Sequence, residues 1–271
     1  MPVECSSFRD VEVCRCGTLV GGRVLYWANF YRIGDLLIDA GCPNAASEVV
    51  ERVGRVDAVL ITHHHEDHVG AAPLLSSSAK VYAPSKALGL LSNPPRIPEY
   101  RQIVWGQPSP FEASPLPGEL RLGELEVRVL ETPGHSFDHV CFLVGEYLFS
   151  GDLVLPPRQM VAMRDEDYSE TIRSLERIVK LDFEYALGGV GIYTKAEVEE
   201  YLSYLKRLRS RAAELYSQGM SMEEIVAKLF PNPPSKVLLT EEFSGGEWSR
   251  ANFVRSLLGL GSPESRSGRG S

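Results

Sequence analysis

Four of the six histidines of this 271-residue chain fall in one short stretch, Thr62-His-His-His-Glu-Asp-His68. Imidazoles and carboxylates directly after the apolar segment 56–61 are costly to bury unless they are hydrogen-bonded or bound to metal. Zinc takes imidazole nitrogen and carboxylate oxygen at about 2.0–2.2 Å in a near-tetrahedral array, and a tight loop can aim several such groups inward. In an extended segment residues two apart face the same way, so His63 and His65 are placed to share one metal while His64 points away. Asp67 and His68 are then placed for a second. A solvated histidine-rich loop and a tag-like adventitious tract are the alternatives. Tags sit at a terminus, whereas this cluster lies between an apolar segment and Val69-Gly-Ala-Ala72, which favours a functional metal centre.

The surrounding elements read as an alternation of strands and helices. Val24-Leu-Tyr-Trp27 and Leu36-Leu-Ile-Asp39 are strand-like, with Gly34-Asp35 as a hairpin signal. Residues 45–53 read as a helix, 56–61 as a buried strand and 80–83 as another strand. The Pro-rich stretch 94–117 reads as an extended surface insertion with few regular elements. Three strand candidates follow at 125–130, 140–144 and 147–149. Asp167-Tyr-Ser-Glu170 has the spacing of a capping box and opens a helix to about residue 180, whose apolar face should cover the sheet. Thr194-Lys-Ala-Glu197 opens a long helix stopped by Gly219, Ser221-Met-Glu-Glu224 a third to about 229, and 249–258 a last one. No internal repeat is visible. The reading divides the chain into a metal-binding domain at 1–193, a helical extension at 194–260 and a disordered polar tail at 261–271.

Thr-His-X-His-X-Asp-His after a strand resembles the signature of the metallo-β-lactamase superfamily, and other stretches match that family in order. Leu36-Leu-Ile-Asp-Ala-Gly41 is similar to its first motif, Thr132-Pro-Gly-His135 to its third and Ser150-Gly-Asp152 to its fourth. The resemblance spans roughly residues 11–195 and implies an α/β fold, a four-layer αββα sandwich with the site at one edge, here with C-terminal helices added. Carried over, His63, His65 and His135 hold one metal, Asp67 and His68 a second, and Asp152 touches both. Asp39 becomes a group that hydrogen-bonds a ligand from beside the loop, and His139 a histidine that supports a ligand. Taken singly, Asp39 before Gly reads as a turn residue, and Asp152 and His135 as ordinary loop residues; only their order lifts them. The glyoxalase-II-like branch is the nearest in kind. It implies a hydrolase in which metal-bound hydroxide attacks a small activated acyl compound such as a thioester, with Asp67 orienting the nucleophile or moving its proton. The implied cofactor is zinc, one ion or two per chain, with iron as the alternative; residues that bind the substrate are not legible.

The chain departs from the family at the fifth motif, which normally puts a histidine between two glycines. Here the stretch is Ala186-Leu-Gly-Gly-Val-Gly191, with Val190 in the place of that ligand. A single metal, or a weakly held second one, is therefore expected. Tyr193 is close enough in sequence to offer an oxygen, but a packed aromatic is the favoured reading.

A formal net charge of -8 repels polyanions unless basic groups cluster. Lys206-Arg-Leu-Arg-Ser-Arg211 is such a cluster and keeps a ribonuclease or phosphodiesterase as a competing reading, although a solvated helix face is favoured. A mononuclear iron sulfur dioxygenase is a third reading, and a metal-binding remnant without turnover a fourth. The expected partner is a small-molecule substrate rather than nucleic acid. No stretch of roughly 18 apolar residues predicts a membrane span, and the absence of a secretion pattern at residues 1–10 predicts a cytoplasmic protein. Five scattered cysteines argue against a disulfide framework, and Cys14 and Cys16 read as core residues. The stretch 241–250, an aromatic pair amid turn residues, reads first as a packing loop, and otherwise as a pocket wall or homodimer interface.

Overall fold

The computed structural model describes residues 2–155 and 159–260, so the expected tail at 261–271 lies outside the described residues. The chain divides into two compact units. The first is the chain to Glu131 with Asp138–Val154 and Phe183–Tyr193; the second is Thr132–Phe137, Leu155–Asp182 and the chain from Thr194.

The first unit opens with the hairpin β1 (Val3–Phe8) and β2 (Val11–Cys16), then a short ribbon, β3 (Leu19–Val20) and β4 (Arg23–Val24). β5 (Ala28–Ile33) and β6 (Leu36–Ile38) follow, and the chain turns between them at Gly34, whose φ of 56° suits a residue without a Cβ. Next come α1 (Ala46–Val53), β7 (Ala58–Leu60), the single turns α2 (Glu66–Val69) and α3 (Ala72–Leu75), and β8 (Lys80–Ala83). α4 (Leu88–Ser92), α5 (Glu99–Val104) and β9 (Ser114–Pro115) complete this half. β10 (Glu119–Leu122), β11 (Leu125–Glu131), β12 (Val140–Val144), β13 (Tyr147–Gly151), β14 (Tyr185–Gly188) and β15 (Gly191–Thr194) build the other.

The strands form a seven-stranded sheet, β1-β2-β5-β6-β7-β8-β9, and a six-stranded sheet, β10 to β15 in sequence order. Alternation along the central strands assigns the faces. Leu36, Ile38, Ala58 and Leu60 join Phe142, Phe149 and Leu187 in a core between the sheets. The intervening Leu37 and Val59 point the other way, into a core with Val49, Val53, Leu75 and Leu91 from the helices. Strands buried on both faces read as continuous apolar runs, which is why 56–61 lacks polar alternation.

Two expectations are corrected here. The stretch 94–117 is not a surface insertion. It carries α5 and β9, β9 pairs with β8, and Val104, Trp105 and Phe111 are buried. Pro98 stands at the N-terminus of α5 and Pro115 within the edge strand β9, so its prolines do not abolish regular structure. The scattered cysteines also include a disulfide, Cys5–Cys14, because the two residues stand directly opposite one another across β1 and β2. Cys14 and Cys16 are both buried, as the core reading expects.

The second unit holds α6 (Tyr168–Ile178), α7 (Lys195–Ser217), α8 (Met222–Leu229), α9 (Ser235–Phe243) and α10 (Arg250–Leu257). Thr194 and Ser221 make reciprocal capping boxes with Glu197 and Glu224. Asp167 caps α6 by accepting from the Ser169 and Glu170 N–H groups. α9 was not legible in the sequence: it buries none of its residues, so no apolar stripe marks it. The 241–250 stretch closes on itself, with Arg250 donating to both carboxylate oxygens of Glu241 at 2.9 and 2.8 Å.

Phe149 is fully buried in the inter-sheet core with its ring centroid 5.6 Å from that of Tyr31. Phe149→Ala is expected to destabilise the fold by about 3–5 kcal/mol, read from the shift in the urea unfolding midpoint.

Candidate metal centre

The site of the first unit forms where parallel strands end. β6, β7 and β8 run parallel, as do β13 and β14, and the residues just past β6, β7, β13 and β14 are Asp39, Ile61-Thr62-His63, Asp152 and Gly189. Carboxyl ends of parallel strands are where open α/β sheets place ligands.

Asp39 organises the site. Its φ of 60° is left-handed, a conformation that Asp tolerates better than most residues but that still costs about 1–3 kcal/mol. That backbone turns the carboxylate toward the His loop. Oδ1 accepts from the Thr62 N–H at 2.8 Å, and Oδ2 lies 2.9 Å from the Thr62 hydroxyl and 2.7 Å from His68 Nδ1. Asp39 thereby engages Nδ1 of His68, which leaves Nε2 as the ring nitrogen turned toward the site.

His68 Nε2 is fully buried and makes no hydrogen bond among the described residues. It faces Asp152 Oδ1 at 3.5 Å and Asp67 Oδ2 at 3.8 Å. One atom each from His63, His68 and Asp152 lie within 4.8 Å of one another. An imidazole nitrogen turned toward two carboxylates can be occupied by a proton donated to them or by a divalent cation held among the three groups.

The alternation expected along 63–65 is present. The His63 and His65 rings lie 4.6 Å apart, while His64 turns to Asp138. Asp138 Oδ2 accepts from the His64 N–H at 2.9 Å, and Oδ1 lies 2.8 Å from its Nδ1, so the middle histidine anchors the loop. His139 acts on Asp152 in the same way: its Nε2 accepts the Asp152 N–H at 3.1 Å. Glu66 is buried and receives Arg101 of α5 through two contacts of 2.7 Å. Sequence reasoning missed Asp138 and the Arg101–Glu66 pair. Each lies tens of residues from its partner, and nothing local marks it.

Glycines permit the close approaches. A Cβ added to Gly151, φ 45°, would lie 2.6 Å from His139 Nε2. At Gly189 it would lie 2.1 Å from Asp152 Oδ1 and 3.1 Å from His68 Cε1. The fifth-motif segment is thus pressed against the site by its backbone, held by Asn29 N–H to Gly189 O at 2.7 Å and Gly189 N–H to Gly151 O at 2.8 Å. Gly189 is the residue of that segment whose Cα abuts the carboxylate and imidazole, and Val190 beside it is half-buried. Tyr193 is also half-buried, with its hydroxyl over Gly191.

His135 belongs to the second unit, on the turn between β11 and β12. It is buried, and Nδ1 lies 3.7 Å from Glu166 Oε2. The turn is fixed to the start of α6: Asp167 donates its N–H to Gly134 O at 2.7 Å, and Ser174 Oγ donates to Pro133 O at 2.8 Å. Glu166 is a buried carboxylate that sequence reasoning did not single out.

The family model described as the Metallo-beta-lactamase superfamily matches residues 29–190, and the chain belongs to that superfamily. It is 31% identical over 185 residues to the atrochrysone carboxyl ACP thioesterase of Aspergillus fumigatus, covering 62% of this chain and 54% of the relative. It is 37% identical over 118 residues to a hydroxyacylglutathione hydrolase of Thiobacillus denitrificans, covering 42% and 40%, and 30% identical over 250 residues to the lactamase-like protein nscB of Aspergillus fumigatus, covering 80% and 70%. The matches to the thioesterase and the hydroxyacylglutathione hydrolase thus span about half of each relative or less. Among solved structures, a metallo-beta-lactamase family protein of Thermus thermophilus superposes with a TM-score of 0.61 at 19% identity over 96% of each chain. A metallo-beta-lactamase of Pontibacter korlensis gives 0.62 at 16% over 76% of this chain and 99% of its own. The expected fold class, an α/β αββα sandwich with C-terminal helices, is therefore met, on the glyoxalase-II-like side of the superfamily.

Protons compete with a cation for this pocket. Burial, against the pull of the His68 charge and with the push of Asp152 and Glu66, raises the Asp67 carboxyl to about 6. Burial pulls His68 down, but Asp39, Asp152 and Asp67 outweigh it and raise it well above its usual value. Both groups bind protons more tightly folded than unfolded. Without metal, the stability they contribute is full at low pH, and is lost as pH rises through about 6 for Asp67 and through the raised value for His68. A divalent cation reverses the sign by replacing the protons. Melting temperatures in chelator and in excess zinc should therefore diverge as pH rises from about 5 to about 8, and parallel curves would contradict the pocket. Gly189→Ala, which must displace Asp152, is expected to cost about 10–100-fold in divalent-cation affinity with the fold retained, as read by calorimetric titration.

Proposed function

We propose that the chain is a metal-dependent hydrolase of thioesters or comparably activated small acyl compounds. The observation that carries this reading is the His68 imidazole, fixed through Nδ1 by Asp39 and turned with Nε2 toward Asp67 and Asp152. In this reading His63, His65 and His135 hold one divalent cation, Asp67 and His68 contribute to a second, weaker site, and Asp152 serves both. Zinc bound by such ligands supplies a Lewis acid and lowers the pKa of water toward about 7.

The remaining work falls to the chain itself. Asp67, a buried carboxylate beside the histidine loop, is the group placed to orient the nucleophile or move its proton. Asp39, Asp138 and His139 keep the histidine loop and Asp152 in register, and the bidentate Arg101–Glu66 contact fixes the turn that carries Asp67. A small acyl substrate suits the charge balance better than a polyanion. Two of the four basic groups at 206–211 are already paired, Lys206 with Glu176 at 2.5 Å and Arg211 with Glu214 at 2.6 Å. The names of two relatives, an acyl carrier protein thioesterase and a hydroxyacylglutathione hydrolase, support the thioester class.

The test joins elemental analysis of tag-free protein to thiol release from a thioester panel, with phosphodiesters and persulfide-dependent oxygen uptake beside it. Zinc at about one ion per chain, thioester turnover, and a loss of at least about 100-fold in His63→Ala are expected, since even the groups behind a ligand cost about 10–100-fold. Turnover unchanged in His63→Ala would overturn the site, and iron with oxygen uptake would replace hydrolysis by a dioxygenase.

A further inference from the structure

In the second unit, the turn that carries His135 meets a three-residue segment, Glu166-Asp167-Tyr168, where α6 begins. The approach is close: a Cβ added to Gly134, φ 145°, would lie 2.3 Å from Thr171 Oγ1 and 2.5 Å from the Thr171 nitrogen. From the middle of the segment, the Asp167 N–H donates to Gly134 O at 2.7 Å. One hydroxyl from α10 holds the two residues that flank it. Ser256 Oγ donates to Glu166 O at 2.6 Å and accepts from the Tyr168 N–H at 2.5 Å. That N–H is one of the first-turn donors that a helix cannot satisfy by itself. Ser256 lies beyond residues 29–190, the part of the chain that the family model matches.

The side chain placed in this way is a buried carboxylate facing a buried imidazole, with side-chain exposures of 1% for Glu166 and 3% for His135. Its two oxygens have separate partners. Oε1 accepts from the Met163 N–H at 3.1 Å, which anchors the carboxylate, and Oε2 lies 3.7 Å from His135 Nδ1. That distance is longer than a hydrogen bond, so the interaction is one of charge with the ring. Water is excluded from both groups, and a charge in such surroundings is weakly screened. A negative charge beside Nδ1 favours the ring proton on that nitrogen and makes Nε2 the stronger donor to a cation.

We propose that Glu166 is a positioning residue for the metal centre: its carboxylate keeps the His135 proton on Nδ1 and leaves Nε2 for a divalent cation, while Ser256 of α10 holds Glu166 in place. This role rests on His135 being a ligand, as in the proposed function. It makes the C-terminal helices part of what shapes the centre, although none of their residues is assigned to it.

The full chain, with isotope-labelled histidine, is followed by long-range proton–nitrogen spectra in chelator at about pH 9, where histidines are ordinarily neutral. Zinc affinity is measured beside it by calorimetric titration. His135→Ala assigns the ring signals and tests the ligand reading. In the parent, the His135 ring is expected in its Nδ1–H form. Glu166→Met keeps the length and removes the charge; it should move the ring toward the Nε2–H form and weaken zinc binding about 10–100-fold. Ser256→Ala should do the same to a lesser degree, and a ring form and zinc affinity equal to the parent's would overturn the part given to Ser256. A parent ring in the Nε2–H form overturns the proposal without any variant having to fold. Parental ring form and affinity in Glu166→Met, with zinc lost in His135→Ala, overturn the role of Glu166 alone. Unchanged zinc affinity in His135→Ala overturns the ligand reading and this role with it.

Discussion

Asp39 and His68 meet at 2.7 Å in a volume from which water is excluded, and the arrangement of the first unit follows from keeping that contact satisfied. Two further carboxylates, Asp67 and Asp152, face the other imidazole nitrogen. Burying so many ionisable groups costs several kcal/mol for each charge that stays unmatched. The structure meets this cost by sharing partners: Asp39 serves Thr62 and His68 at once, Asp138 serves the backbone and ring of His64, and His139 serves the backbone of Asp152. What remains is the Nε2 side of His68 facing Asp67 and Asp152, a set of groups whose charge a divalent cation matches.

Such an arrangement needs backbone where side chains would ordinarily be. Gly151 and Gly189 let two chain segments approach Asp152, His139 and His68 more closely than any Cβ allows, and Asp39 accepts a left-handed conformation to aim its carboxylate. The rigid parts that make these demands tolerable are the parallel strands, whose ends are fixed by ladders buried on both faces. Loops carry the chemistry, and sheets fix where the loops begin.

How far this was legible depended on sequence distance. His63, His65, Asp67 and His68 lie within six residues, so their types and period marked a candidate metal loop unaided. Asp39 and Asp152 were legible only through the order of motifs around that loop, since an Asp beside Gly has several commoner uses. Asp138, Glu66 with Arg101, and Glu166 left no local trace, because each gains its role from a partner brought near by the sheets. The prolines of 94–117 suggested a surface excursion, yet Pro98 opens α5, Pro115 lies in β9, and Val104, Trp105 and Phe111 are buried. Counting cysteines said nothing of Cys5–Cys14, because the pairing is a matter of hairpin register.

By itself the sequence determined the strand and helix periods, the helix caps at Asp167, Thr194 and Ser221, and a cluster of imidazoles and carboxylates at a strand end. These are local properties, set by side-chain alternation and by groups a few residues apart. Tertiary structure alone decided which nitrogen of His68 faces Asp67 and Asp152, that Gly189 rather than a side chain meets Asp152, and that Cys16 touches Cys42. Those outcomes turn on differences of an ångström or two between residues up to about 120 positions apart. Such distances are set by strand register and by the crossing of two sheets, which no single segment of the chain encodes.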